Sequence, residues 1–228
     1  FFFHPQAGKR AAQESRGLGD VYKRQIKNSS KSGYGGVPKN IILLPCDAFG
    51  VLPPVAPLTP AEAVFYFLSG FTSKVAGTED GIKEPVPTFS TCFGAPFMPQ
   101  KPEVYGKLLW SKIHSAEPVC WLLNTGWSGG SYGEGKRISI ELTRKILKFI
   151  LSSKKDLQTR KDQFFNFCVP IEIDGVPKNL LNPRENWANA NDYDRSATEL
   201  KSMFVNNFQQ FSSINEKVDG VYNRLKND

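Results

Sequence analysis

The 228-residue chain is 40% apolar and 12% aromatic, ample for a packed core in one large domain. Its formal charge of +7 does not describe the body of the protein: residues 1–40 hold eight Lys or Arg against two Asp or Glu, and the other 188 hold 21 against 20. That body lacks the basic stripe of a nucleic-acid binder, and no apolar run reaches the ~18 residues of a membrane span.

Residues 1–25 show no sustained hydrophobic period. Phe1-Phe2-Phe3, followed by His4 and Pro5, is too short for a signal-peptide core. The stretch reads as a disordered or foreign leader, and the fold argument excludes it. Ile26 to Lys39, rich in Ser, Gly and Lys, reads as a loop.

Asn40-Ile41-Ile42-Leu43-Leu44 has the continuous apolar character of a strand covered on both faces. It runs into Asp47, which either aims at a ligand or closes a turn. Thr59-Pro60-Ala61-Glu62 is a helix start, with an N-cap Thr, Pro at N1 and Glu at N3, and that helix stops at Ser69-Gly70. From Ala76 to Pro85 the chain carries two glycines and several charges with little to anchor them, as in a lid or a plain surface connection. Thr88 to Phe93 alternates like a strand. A helical pattern follows through Val104, Leu108, Leu109 and Ile113, with His114 near its end. Only His4 accompanies it as a histidine, so Ser90 and Cys92 lack the partner a nucleophile needs.

Val119 to Leu123 is a second buried strand. It feeds Asn124–Arg137, which contains five glycines, and a helix from about Ser139 to Leu151. Strand, glycine loop and helix N-terminus make a common seat for an anion or nucleotide. Gly130 to Lys136 matches G-x-x-x-x-G-K, but Arg137 stands where a phosphate loop carries the magnesium-binding Ser or Thr. A triphosphate cradle, a nucleotide-contacting loop of another kind and a solvated glycine loop all remain open. Phe164 to Ile173 reads as extended, and Leu181 to Trp187 as a turn region. Leu200, Phe204, Phe208 and Phe211 mark a last helix over about Ser196–Phe211, and the final 16 residues are expected to fray.

The four cysteines, Cys46, Cys92, Cys120 and Cys168, are spaced too widely for a zinc site. Three of them sit among apolar neighbours, where a buried reduced thiol is the default, and a reducing, cytoplasmic compartment suits the set.

Several long motifs stand in one order: Asp47 to Pro54, Gly77-Thr78-Glu79, Thr88 to Phe97, Asn124-Thr125-Gly126-Trp127, Gly135-Lys136-Arg137 and Leu181 to Arg184. Together they closely resemble the C-terminal part of ATP-dependent phosphoenolpyruvate carboxykinase, over roughly Ile26 to Phe211. The resemblance implies an incomplete α/β fold, a mixed sheet with flanking helices, in which residues 26–228 form the C-terminal part of the nucleotide-binding domain and 1–25 a non-family leader. It implies oxaloacetate plus ATP giving phosphoenolpyruvate, ADP and carbon dioxide, as in gluconeogenesis, with Mg2+ on the nucleotide and Mn2+ at the substrate. Arg137 and Ile138 match the pair at the base and ribose, and Thr143 matches a third nucleotide contact. Gly77, Thr78, Glu79 and Gly81 belong to the matching lid. The family's phosphate loop, metal ligands and substrate arginines lie upstream of this segment. The chain is therefore expected to be a truncated carboxykinase, inactive alone, with no catalytic or metal residue of its own. A non-enzymatic nucleotide-binding or interaction module built on Gly130–Lys136 is the alternative.

Overall fold

A computed structural model describes Ser30 and residues 32–75, 83–152 and 157–227. The chain divides into Phe1–Pro38 and Lys39–Asp228. Of the first unit, Ser30 and residues 32–38 are described. They form a turn in which the Gly33 N–H donates to the Ser30 carbonyl at 3.0 Å. The leader expected over residues 1–25 lies outside the described residues.

The second unit is mixed α/β. Its main sheet has the order β1-β5-β2 and is built from β1 (Asn40–Leu43), β2 (Val55–Leu58) and β5 (Val119–Leu123). β5 lies in the centre. It pairs in parallel with β1, Ile41 opposite Cys120, and antiparallel with β2, Ala56 opposite Leu122. Cys120 to Leu123 are all buried, as are Val55, Ala56 and Leu58 on β2, whereas Ile41 and Ile42 on β1 are half-buried and Leu44 is exposed. The strand expected at Asn40 is present at the edge of the sheet, and both of its faces are covered, Ile41 and Leu43 by one core cluster and Ile42 by the other.

α1 (Pro60–Ser69) starts where the sequence signals it. The Glu62 N–H donates to Thr59 Oγ1, and the Thr59 N–H donates back to Glu62 Oε2 at 2.9 Å. It ends on Gly70 at φ 58°, where any Cβ would sit 1.8 Å from the Ser90 carbonyl oxygen. Ala63, Val64, Phe65, Tyr66 and Leu68 are all buried, so this helix is enclosed nearly all round.

β3 (Phe71–Lys74) and β4 (Val86–Phe89) form an antiparallel hairpin. The strand expected over Thr88–Phe93 ends at Phe89. Cys92 and Phe93 then take left-handed φ values of 58° and 57°, which no strand accommodates. α2 (Pro102–Ala116) buries Ile113 but leaves Val104 and Leu108 about half exposed, so its apolar pattern overstates its buried face.

The glycine segment departs most from expectation. It does not pass directly from strand to helix. It folds back as a hairpin of β6 (Trp127–Ser128) and β7 (Lys136–Arg137), and only then does α3 (Ile140–Ser152) begin. Ser139 caps that helix by accepting from the Leu142 N–H at 3.2 Å. β8 (Thr159–Lys161) and β9 (Cys168–Pro170) make a further antiparallel pair, β9 lying against β2.

Two short helices, α4 (Lys178–Leu181) and α5 (Pro183–Asn186), precede α6 (Ala190–Phe208). α6 starts six residues earlier than its apolar stripe, because Asn189 accepts from the Asn191 N–H and caps it. The polar tail does not fray. It forms α7 (Glu216–Asn227), which buries Val218, Val221 and Leu225. The larger core gathers Phe65, Phe71, Phe165, Phe167, Phe204 and Phe208, with Phe65 stacked on Phe208 at 4.5 Å between ring centroids. A second cluster, with Val55, Trp121, Leu123, Ile146 and Ile150, lies under α3.

Candidate functional site

The site is assembled on the crossing between β1 and β2, residues 45–54. Asp47 is fully buried, and its carboxylate accepts from the N–H groups of Phe49, Val51 and Leu52 at 2.7–2.8 Å. Burial pushes its pKa up to about 6, although those backbone donors pull the other way. Of the two roles open to this residue, the geometry selects the closing of the turn.

Asn124, also fully buried, stitches that turn to the end of β5. Its Oδ1 accepts from the Asp47 N–H at 3.1 Å and the Gly126 N–H at 2.9 Å, and its Nδ2 donates to the Leu52 carbonyl at 3.1 Å. The two backbones run so close that a Cβ on Gly126 would fall 2.1 Å from the Asp47 carbonyl oxygen. From the far side, Trp187 Nε1 donates to the Gly50 carbonyl and the Tyr193 hydroxyl to the Val51 carbonyl. The turn is thereby held by groups up to 142 residues away in the chain.

Arg137 is anchored against this frame. Its Nε donates to the Thr125 carbonyl at 3.1 Å and its Nη2 lies 3.8 Å from Cys46 Sγ. Its guanidinium carbon stands 5.4 Å from the centroid of the Trp127 ring, a cation–π contact. Burial raises the Cys46 thiol pKa, and the nearby Arg137 charge opposes that rise.

A cleft of about 390 Å³ opens beside the hairpin. Its walls are Ser128, Gly129 and Glu134 to Ile138 from the hairpin, Ser139 and Leu142 from the head of α3, and Leu180 and Asn186 from α4 and α5. Arg137 and Ile138 therefore meet in one cleft. Ile138 is 8% exposed, belongs to the core cluster under α3, and donates its N–H to the Gly126 carbonyl at 2.8 Å. Thr143 stands one helical turn further on and is not among the lining residues. Its Oγ1 donates to the carbonyl of Ser139, which is.

Gly77, Thr78, Glu79 and Gly81 lie outside the described residues, in the sequence between β3 and β4. The Gly130–Lys136 stretch closes the β6–β7 hairpin, with the Gly135 N–H donating to the Ser131 carbonyl at 2.7 Å. A Cβ on Gly135 would lie 2.1 Å from the Gly130 oxygen, so these glycines permit close backbone packing. His114 binds the carbonyl of Trp110 on its own helix at 2.8 Å. Among the described residues no three His, Cys, Asp or Glu side chains gather to hold a metal, and no helix is long and apolar enough to cross a membrane. All four cysteines are free.

Residues 12–179 match a family described as phosphoenolpyruvate carboxykinase, in its ATP-dependent form. The chain belongs to that family. The phosphoenolpyruvate carboxykinase (ATP) of Cereibacter sphaeroides is 59% identical over 187 residues, 82% of this chain and 35% of that protein. The Paracoccus denitrificans protein of the same name is 55% identical over 196 residues, 86% of this chain and 36% of its own length. That of Ruegeria pomeroyi is 56% identical over 198 residues, covering 86% and 37%. The chain thus spans about a third of the length of the curated relatives it matches.

Inspection of the sequence alone missed Asn124, Ser128 and Asn186 in this site. Asn124 had one signal: a polar amide at the end of a buried strand, followed two residues later by a glycine. Asn186 had none, because its neighbours across the cleft are 44 to 58 residues away in the chain.

Proposed function

We propose that this chain carries the base end of the ATP site of a phosphoenolpyruvate carboxykinase, the enzyme that converts oxaloacetate and ATP to phosphoenolpyruvate, ADP and carbon dioxide. The observation that supports it is Arg137, pinned by the Thr125 carbonyl, Cys46 and Trp127 at a cleft that Ile138 also lines. A guanidinium held in this way is always charged and presents a planar face to an adenine nucleotide at little entropic cost. In this reading Arg137 and Ile138 meet the base and ribose. Thr143 steadies the head of α3 through Ser139, or meets the nucleotide as a third contact. Gly77, Thr78, Glu79 and Gly81 serve the lid between β3 and β4.

The described residues do not fit the Mg2+ and Mn2+ that the reaction employs, since no ligand cluster exists among them. Phosphoryl transfer needs metal charge and a phosphate cradle. We therefore assign no catalytic residue here and infer that the chain alone is inactive, its partner groups belonging to sequence beyond it. Free thiols accord with a reducing cytoplasm.

The test is calorimetric titration of the 228-residue chain with ADP, with and without Arg137→Ala. Saturable binding weakened about tenfold or more by the substitution is expected. Equal affinity in both proteins would refute the assignment of Arg137, and turnover of oxaloacetate by this chain alone would refute its inactivity.

A further inference from the structure

We propose that Asn186 reads the base in the cleft and selects adenine over guanine, an inference that rests on the base-site reading above. The walls contain apolar side chains suited to the faces of a ring, Ile138, Leu142 and Leu180. An amide, which offers a donor and an acceptor side by side, occurs among the lining residues only at Asn186.

That amide is fixed before any ligand arrives. Asn186 Nδ2 donates to Ser128 Oγ at 2.9 Å, and Asn186 Oδ1 accepts from Asn179 Nδ2 at 2.6 Å. Gly129 leaves it room, since a Cβ there would lie 3.2 Å from Nδ2. Each end of the amide has thus used one of its two hydrogen-bonding valences among the described residues. One N–H and one oxygen lone pair are left over. Adenine presents the complement, an acceptor at N7 beside a donor at N6, and Asn pairs with that edge in two bonds. Guanine presents two acceptors, N7 and O6, on the same edge, so the Oδ1 lone pair would face an oxygen. A pair of this kind discriminates by roughly tenfold to a hundredfold. Turning the amide over would not suit guanine either, because two acceptors side by side need two donors.

The experiment compares ADP and GDP affinities by calorimetry for the 228-residue chain, Asn186→Ala, Asn186→Asp and Arg137→Ala. The unaltered chain is expected to prefer ADP at least tenfold. Asn186→Asp keeps both anchoring bonds, because the Ser128 hydroxyl turns to donate, but it offers only acceptors to the base. Asn186→Ala is expected to lower the ADP-to-GDP ratio about tenfold, a ratio that a purely structural role would leave unmoved, whereas Asn186→Asp keeps the acceptor facing position 6 and loses only the donor to the N7 that both bases share, so it is expected to weaken both nucleotides with the ratio retained. Arg137→Ala is expected to weaken both nucleotides with the ratio retained. An unchanged ratio in Asn186→Ala, a preference abolished in Asn186→Asp, or no preference in the unaltered chain overturns the inference while leaving the base-site reading in place. Absence of binding to either nucleotide removes the base-site reading, and the inference falls with it.

Discussion

Replacing Asn124 by alanine tests the frame on which the cleft is built. The side chain has no solvent exposure and holds three partners: the N–H groups of Asp47 and Gly126, and the carbonyl of Leu52. Alanine leaves all three buried and unpaired, each costing about 1–3 kcal/mol, with some of that recovered by relaxation or an entering water. A loss of about 3–6 kcal/mol follows, a large fraction of the ~5–15 kcal/mol that holds a domain folded. Asn124→Asp is expected to be worse, since it sets a carboxylate oxygen against the Leu52 carbonyl and places a second acid beside buried Asp47. Urea unfolding followed by tryptophan fluorescence measures both, because Trp121 and Trp127 flank the residue in the chain. A change under about 1 kcal/mol for Asn124→Ala would refute the claim that this amide carries the crossing.

Asp47 should impose a pH dependence. Its folded-state pKa of about 6 lies above the ordinary 3.8, so the folded protein holds the proton more tightly than the unfolded chain. Stability from this group is complete below pH ~4 and is lost as pH rises through ~6, by about 3 kcal/mol. Urea midpoints at several pH values, for the native chain and for Asp47→Asn, should show that slope in the native chain only. Gly126→Ala should fail to fold or lose more than ~3 kcal/mol, since its Cβ has no space beside the Asp47 backbone; a protein with normal thermal unfolding would contradict this. Of the four thiols, Cys168 alone is exposed, and burial raises the pKa values of Cys92 and Cys120 to about 11 and that of Cys46 less far. A chromogenic disulfide reagent should therefore titrate one thiol rapidly in the native protein and four in denaturant.

How much of this was legible beforehand depended on whether the signal was local. The Thr59–Glu62 capping box and the run from Val119 to Leu123 announced α1 and β5, because both rest on adjacent residues. β2 escaped notice because Pro53, Pro54 and Pro57 read as loop, and a proline is tolerated only because β2 lies at the edge of the sheet. α7 was visible in principle: Val218, Val221 and Leu225 recur at helical spacing, though the surrounding polarity obscured them. The β6–β7 hairpin could not be foreseen, since strands of two residues carry no period and the loop's glycines suggested a different use. Arg137 and Ile138, which both line the cleft, were named from family motifs. Asn186 and Ser128 were not, because what joins them is a contact across 58 residues of chain.

The position of β5 also has a consequence for biosynthesis. β1 and β2 leave the ribosome well before β5, yet neither pairs with the other; each hydrogen-bonds only to the strand made last. α1 and its aromatic side chains must therefore wait, without the completed sheet, through some fifty further residues of translation. Their remaining cover, α6 and α7, comes later still, and Arg224 near the C-terminus reaches back to within 3.6 Å of Glu62 at the start of α1. A nascent chain of this kind has long-range contacts and exposed apolar surface for most of its synthesis, the circumstances in which chaperones engage.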